Sequence, residues 1–156
     1  MTSAKSKNNL PLFLFCEGTN FRAYEYFGAH KAKRRSIAGA IFRVWAPHAR
    51  AVSIVGDFND WNEQSNPMEE IGSGVWEGFV PGIKQYDNYK YCIMTQDDRM
   101  LLKADPFAFH AETRPGTASK FYDLSGYKWH DENWLEKREQ KDFYASPINI
   151  YEVHLG

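Results

Sequence analysis

AIFRVWAPHARAVSIVGDFNDWN, residues 40–62, sets the reading of the fold. In its first part the period is two. Phe42, Val44 and Ala46 fall on one face, and Ile41, Arg43 and Trp45 on the other, as in a strand with one side in a core. Pro47-His48 makes a turn. Ala51 to Val55 is a second strand, and it runs into Gly56-Asp57-Phe58-Asn59-Asp60-Trp61-Asn62, a turn-forming stretch that carries a large indole at its polar end.

The alternation continues outward from there. Gly72-Ser73-Gly74 is a turn, Val75 to Val80 alternates, and Pro81-Gly82 ends it. Tyr89, Tyr91 and Ile93 share one face of the next strand, with Lys90, Cys92 and Met94 on the other. Asp97-Asp98 turns the chain into Met100-Leu101-Leu102, and Ser119 to Leu124 reads as a last short strand. Short strands with Gly and Pro turns, and no crossover helices between them, predict an all-β antiparallel sandwich with short flanking helices.

Before this core, residues 1–9 are polar and read as a disordered tail, and Thr19–Gly28 reads as a short helix capped by Thr19. His30 to Arg35 reads as a solvated basic loop. After the core, Asp131 to Phe143 has a helical pattern, Pro147 breaks it, and Ile148 to Leu155 has the composition of a strand. The resulting division is a tail with a short helix over 1–35, the sandwich over 36–126, a helical linker over 127–146, and over 147–156 the first strand of a following domain.

Of the 156 residues, 43% are hydrophobic, 25% charged and 16% aromatic, a globular balance rich in rings. The net charge of −1 gives no electrostatic ground for a nucleic acid or an anionic membrane as partner. The apolar run Leu12–Cys16 is too short to span a bilayer, and no signal-peptide core precedes it, so a cytoplasmic location is expected. Cys16 and Cys92 match no metal spacing and read as reduced, half-buried thiols.

No catalytic set is visible. Glycoside chemistry needs two carboxylates roughly 5–10 Å apart across a cleft. Asp57 and Asp60 sit in one turn, where carboxylates bond to backbone N–H groups. The five histidines are dispersed, no Ser or Cys lies in a nucleophile context, and no phosphate-binding glycine loop occurs. No catalytic residue, cofactor or metal is therefore assigned. Trp61 is the stronger signal: an exposed indole is a wide apolar plate suited to the C–H face of a sugar ring. Asn59, Asn62 and Lys90 have the polar chemistry to take its hydroxyls. The other reading of Trp61 is a lid on the sandwich or a contact with a neighbouring domain. Trp45, Trp76, Trp129 and Trp134 are assigned to a core or an interface.

FRVWAPHARAVSIVGDFNDWN, with YKYCI and KADPFAFHAETRPGTASKFYDL, resembles carbohydrate-binding module family 48, an early-set immunoglobulin-like sandwich. FCEGTNFRAYEYFGAH, HAETRPGTAS, GYKWHDENW and INIYEVHLG narrow the resemblance to glycogen branching enzymes. It implies a module binding or positioning α-1,4-glucan or glycogen, with the catalytic barrel of the same chain as its other partner and all catalytic residues in that barrel. Relatives of the module occur in the β subunit of AMP-activated protein kinase, where it binds glycogen; the resemblance matches Trp61 to the sugar-stacking Trp of that kinase-type module and Lys90 to its sugar-contacting Lys, and places Thr117 in its ligand-clasping loop. Met100 stands where that module has a second stacking Trp, and Pro115 replaces an apolar clasping residue. The alternatives are a bracing module with no glucan affinity of its own, or the same module from a debranching enzyme or trehalohydrolase.

Overall fold

The computed structural model describes residues 9–142 and 144–155; the expectation for the N-terminal tail falls almost wholly outside them. The chain divides into two compact units, Met1–Asp123 and Leu124–Gly156.

The first unit holds every strand found among the described residues. Helix α1 (Leu10–Cys16) precedes β1 (Gly28–Arg34), β2 (Ile37–Trp45), β3 (Ala51–Gly56), β4 (Glu69–Gly72), β5 (Val75–Pro81), β6 (Asn88–Met94), β7 (Met100–Lys103), β8 (His110–Ala111) and β9 (Ser119–Lys120). One sheet has the order β1-β2-β5-β4. The other has β3-β6-β9-β8, with β7 also on β6. All pairings are antiparallel. This is the expected antiparallel sandwich.

Alternation dictates the core. Phe42 and Val44 from β2, Val52 and Ile54 from β3, and Tyr89 and Tyr91 from β6 turn inward and pack together with Met68, Trp76, Val80 and Phe121. Each such side chain, fully removed from water, contributes about 1.5–3 kcal/mol. A smaller cluster of Tyr26, Phe27 and Val75 gathers Leu12, Phe15 and Phe107, which seats α1 on the unit. The segment after the GDFNDWN loop belongs to both sheets: Ile54 N–H donates to Asn66 O at 2.9 Å and Met68 N–H to Val52 O at 2.8 Å, and the chain then enters β4 of the opposite sheet.

Some expectations are corrected here. Helix forms over Leu10–Cys16 rather than Thr19–Gly28, where there is only a 3-10 turn, Ala23–Glu25. The Asn20 side chain explains the difference, since it donates to Pro11 O at 3.0 Å and accepts from Arg22 N–H at 3.1 Å, holding a turn. The basic stretch 30–34 is not a loop but most of β1, an edge strand whose charged residues face water. Of the tryptophans assigned to a core or an interface, Trp76 is in the core, and Trp45, Trp129 and Trp134 are exposed, which leaves the interface reading for those three. Cys92 is buried as a free thiol that burial pushes up in pKa, but Cys16 is exposed.

In the second unit, α2 (Glu132–Gln140) carries Arg138 over the Trp134 ring at 4.9 Å. Residues 147–155 form neither helix nor strand. No described helix is long and apolar enough to cross a membrane.

Candidate functional site

The GDFNDWN loop closes on itself before it can offer anything outward. Asn59 Oδ1 accepts from Gly56 N–H at 2.9 Å, and its Nδ2 donates to Ile54 O at 2.9 Å and Asn66 Oδ1 at 2.8 Å. Both polar atoms of Asn59 thus build the turn. As placed, the side chain is a half-buried brace of the turn. Asn62 Oδ1 likewise accepts from Gln64 N–H at 2.9 Å, while its Nδ2 meets no acceptor among the described residues.

Gly56 is required by space. A Cβ there would lie 2.2 Å from Asn88 O and 2.7 Å from the Phe58 ring. That close approach lets Asp57 reach β6. Asp57 Oδ2 accepts from Asn88 N–H at 2.8 Å and Asn88 Nδ2 at 2.9 Å, and Asp57 Oδ1 accepts from Trp61 Nε1 at 3.2 Å. The carboxylate bonds a backbone N–H as expected, but on a strand distant in sequence. Trp61 has φ 58° and is 36% exposed. The left-handed backbone costs a bulky residue about 1–3 kcal/mol, and such strain gathers at functional sites. The indole is therefore tied by its N–H and still accessible.

Lys90 follows from the β6 alternation. Tyr89 and Tyr91 point into the core, so Asn88 and Lys90 point outward. Lys90 Nζ donates to Thr117 Oγ1 at 2.7 Å, across the β8–β9 hairpin. Lys90 and Thr117 are brought together as a polar pair, and Trp61 is linked to the same strand face through Asp57 and Asn88. Asp57 was missed as a site residue because its reach to Asn88 depends on β3–β6 register.

Met94 and Met100 are paired on the same face. They line a groove of about 230 Å³ with Ser53, Glu63, Gln64 and Cys92. Met100 is 49% exposed, an apolar but unringed surface.

Behind this face lies a buried anchor. Tyr89 OH donates to Asp105 Oδ2 at 2.7 Å, Tyr91 OH to the same oxygen at 3.1 Å, and Phe107 N–H to Asp105 Oδ1 at 2.8 Å. Burial pushes the Asp105 carboxyl above its ordinary pKa, against its hydrogen bonds, and pushes both tyrosine phenols up. The two tyrosines are fixed at both ends, which fixes Lys90 between them. Among the described residues, no group of three His, Cys, Asp or Glu is placed to hold a metal. The arrangement offers a plate, hydrogen-bond donors and an apolar groove, which is the chemistry of recognition.

Comparison with known proteins fits this geometry. Residues 26–108 match the family model for carbohydrate-binding module 48 (isoamylase N-terminal domain). The chain is 47% identical over 154 residues to the 1,4-alpha-glucan branching enzyme GlgB of Bacillus caldolyticus, covering 98% of this chain and 23% of that protein. It is 43% identical over 155 residues to the same enzyme of Bacillus subtilis, covering 99% of this chain and 25% of that one. The chain thus spans about a quarter of the length of these relatives. Among solved structures, ligand-free PulA of Klebsiella pneumoniae superposes with a TM-score of 0.51 at 26% identity, over 74% of this chain and 11% of that chain. A pullulanase of Anoxybacillus, complexed with maltotetraose, gives 0.53 at 22% identity over 66% of this chain and 14% of that chain, which speaks to the fold. With more than half of its residues matched by the family model, and with that fold, the chain belongs to carbohydrate-binding module family 48.

Proposed function

We propose that this chain is the N-terminal, non-catalytic module of a cytoplasmic glycogen branching enzyme, which binds α-1,4-glucan chains and positions them for the catalytic barrel of the same protein. Trp61 stacks on a glucose ring, and Lys90, Thr117 and Asn62 contact its hydroxyls. One observation carries this reading: an accessible indole, held by Asp57, is coupled to the strand that presents the Lys90–Thr117 pair at 2.7 Å. The similarity to branching enzymes supports α-glucan as the ligand class.

Titration of the 156-residue chain with maltoheptaose, followed by tryptophan fluorescence and amide shifts, tests it. Trp61→Ala is expected to weaken binding about tenfold or more, the scale of one stacked ring with its buried area. Equal affinity of variant and parent refutes the assigned site. A second reading, a module that braces the barrel with no glucan affinity, draws on Met100 as the apolar surface where a second ring would stand. It requires that maltoheptaose moves no resonance of the chain.

A further inference from the structure

Two exposed aromatic residues of the first unit share an uncommon backbone. Trp61 has φ 58° and Tyr86 has φ 71°. Tyr86 is 51% exposed, so core packing does not explain why a bulky ring occupies a left-handed position that Gly or Asn enters at lower cost. Its backbone is pinned instead. Tyr86 N–H donates to Phe121 O at 2.8 Å, and Phe121 N–H donates to Asp87 O at 2.9 Å.

This pairing sets Tyr122 against Tyr86, with ring centroids 5.5 Å apart. The β8–β9 hairpin adds His110, at 5.5 Å from Tyr86 and 5.7 Å from Tyr122. Lys120 pairs with both Asn88 and His110, and so shares their outward face. Among the described residues the Tyr86 and Tyr122 hydroxyls and Lys120 Nζ meet no protein partner. His110 engages Ala111 O through Nδ1 at 2.9 Å, which leaves Nε2 available.

We propose that Tyr86, His110 and Tyr122 form a second α-glucan subsite, continuous with the Trp61–Lys90 site. The inference rests on the function proposed above. Continuity lies in the strand register: Asn88, Lys120 and His110 form one row across β6, β9 and β8 on one face, and Asn88 is the residue through which Asp57 holds Trp61. At ~4.8 Å between neighbouring strands, His110 lies about 10 Å from Asn88 along this row, a span for an oligosaccharide and not for one sugar. Rings edged by hydroxyls, an imidazole nitrogen and an ammonium group suit a ligand with C–H faces and a hydroxyl rim.

Amide and aromatic shifts of the 156-residue chain, recorded with maltotriose and with maltoheptaose, test the subsite in the parent, Trp61→Ala and Tyr86→Asn. Asn tolerates the left-handed backbone and removes the ring. Maltoheptaose is expected to move residues 86, 110 and 122 together with 61 and 90. Tyr86→Asn should weaken maltoheptaose about tenfold, one ring's contribution, and leave maltotriose at Trp61 within about twofold. Shifts at Trp61 without shifts at the cluster overturn the inference and leave the first site standing. Shifts at the cluster that persist in Trp61→Ala, with affinity unchanged, overturn the first site and support the cluster as a glucan contact. No shift at either overturns both. If Tyr86→Asn lowers the melting temperature and changes neither affinity, the cluster is a packing surface and the inference falls.

Discussion

Replacing Asp105 with Ala strikes the anchor behind the candidate site. Asp105 is 6% exposed and accepts from Tyr89 OH, Tyr91 OH and Phe107 N–H. Tyr91 OH retains a long contact to Arg43 O at 3.4 Å, so the groups left without an acceptor are chiefly the Tyr89 hydroxyl and the Phe107 amide. Each buried donor so stranded costs about 1–3 kcal/mol. Part is offset, because burial already disfavours the ionised carboxylate, and the substitution removes that penalty. The expected net loss is about 2–4 kcal/mol, a large share of the roughly 5–15 kcal/mol of a typical domain. Urea unfolding at pH 7, followed by tryptophan fluorescence, reads it as a midpoint lowered by about 1–2 M. Tyr89→Phe is the control. It should cost about 1 kcal/mol in the parent and little or nothing in Asp105→Ala, since the hydroxyl it removes is already stranded. A midpoint drop below about 0.5 M, or equal costs of Tyr89→Phe in both backgrounds, refutes the reasoning.

Gly56→Ala puts a Cβ 2.2 Å from Asn88 O, which should cost about 1–3 kcal/mol in thermal or urea unfolding and weaken maltoheptaose binding by moving Asp57. Alkali should also act through the buried phenols. Their folded pKa values are raised by burial and by Asp105. Their stabilising contribution is therefore full below the unfolded value of about 10 and is lost as pH rises toward the folded values, by about 1.4 kcal/mol per pH unit for each phenol. Unfolding midpoints measured from pH 8 to 11 should stay level and then fall, with a shallower fall in Tyr89→Phe; a flat profile in the parent contradicts the assignment.

The strands β2, β5 and β6 were legible because each has one face in the core and one outside, which writes a period of two into the sequence, and β3 was legible as a short apolar run between turns, buried from Val52 to Gly56. β1 was not, because an edge strand carrying Lys31, Lys33 and Arg34 has the composition of a solvated loop. α1 is seven residues long and held by Phe15 packing on Phe27, at 4.5 Å between centroids, a tertiary contact that propensity cannot register. Around the proposed site, the outward placement of Lys90 followed from strand alternation, whereas Trp61 and Thr117 were singled out by the loop indole and by family resemblance. The role of Asn59 did not follow, since Asn has the same composition signal whether it meets a ligand or closes its own turn. Tyr86, His110 and Tyr122 come from three separate segments, and the Tyr86–Phe121 backbone pairing together with the β8–β9 register makes them neighbours.

The strand-like pairing of Asn66 to Met68 with β3 bears on how fast the proposed glucan site would be filled. The loop that carries Trp61 is fastened to one sheet where it leaves and where it returns, so it has no hinge on which to swing. A ligand then meets a surface already in its final shape, and little ordering entropy is lost on contact. Association should run at the rate of an ordinary docking encounter, and differences among glucans of different length should be found in how long each stays.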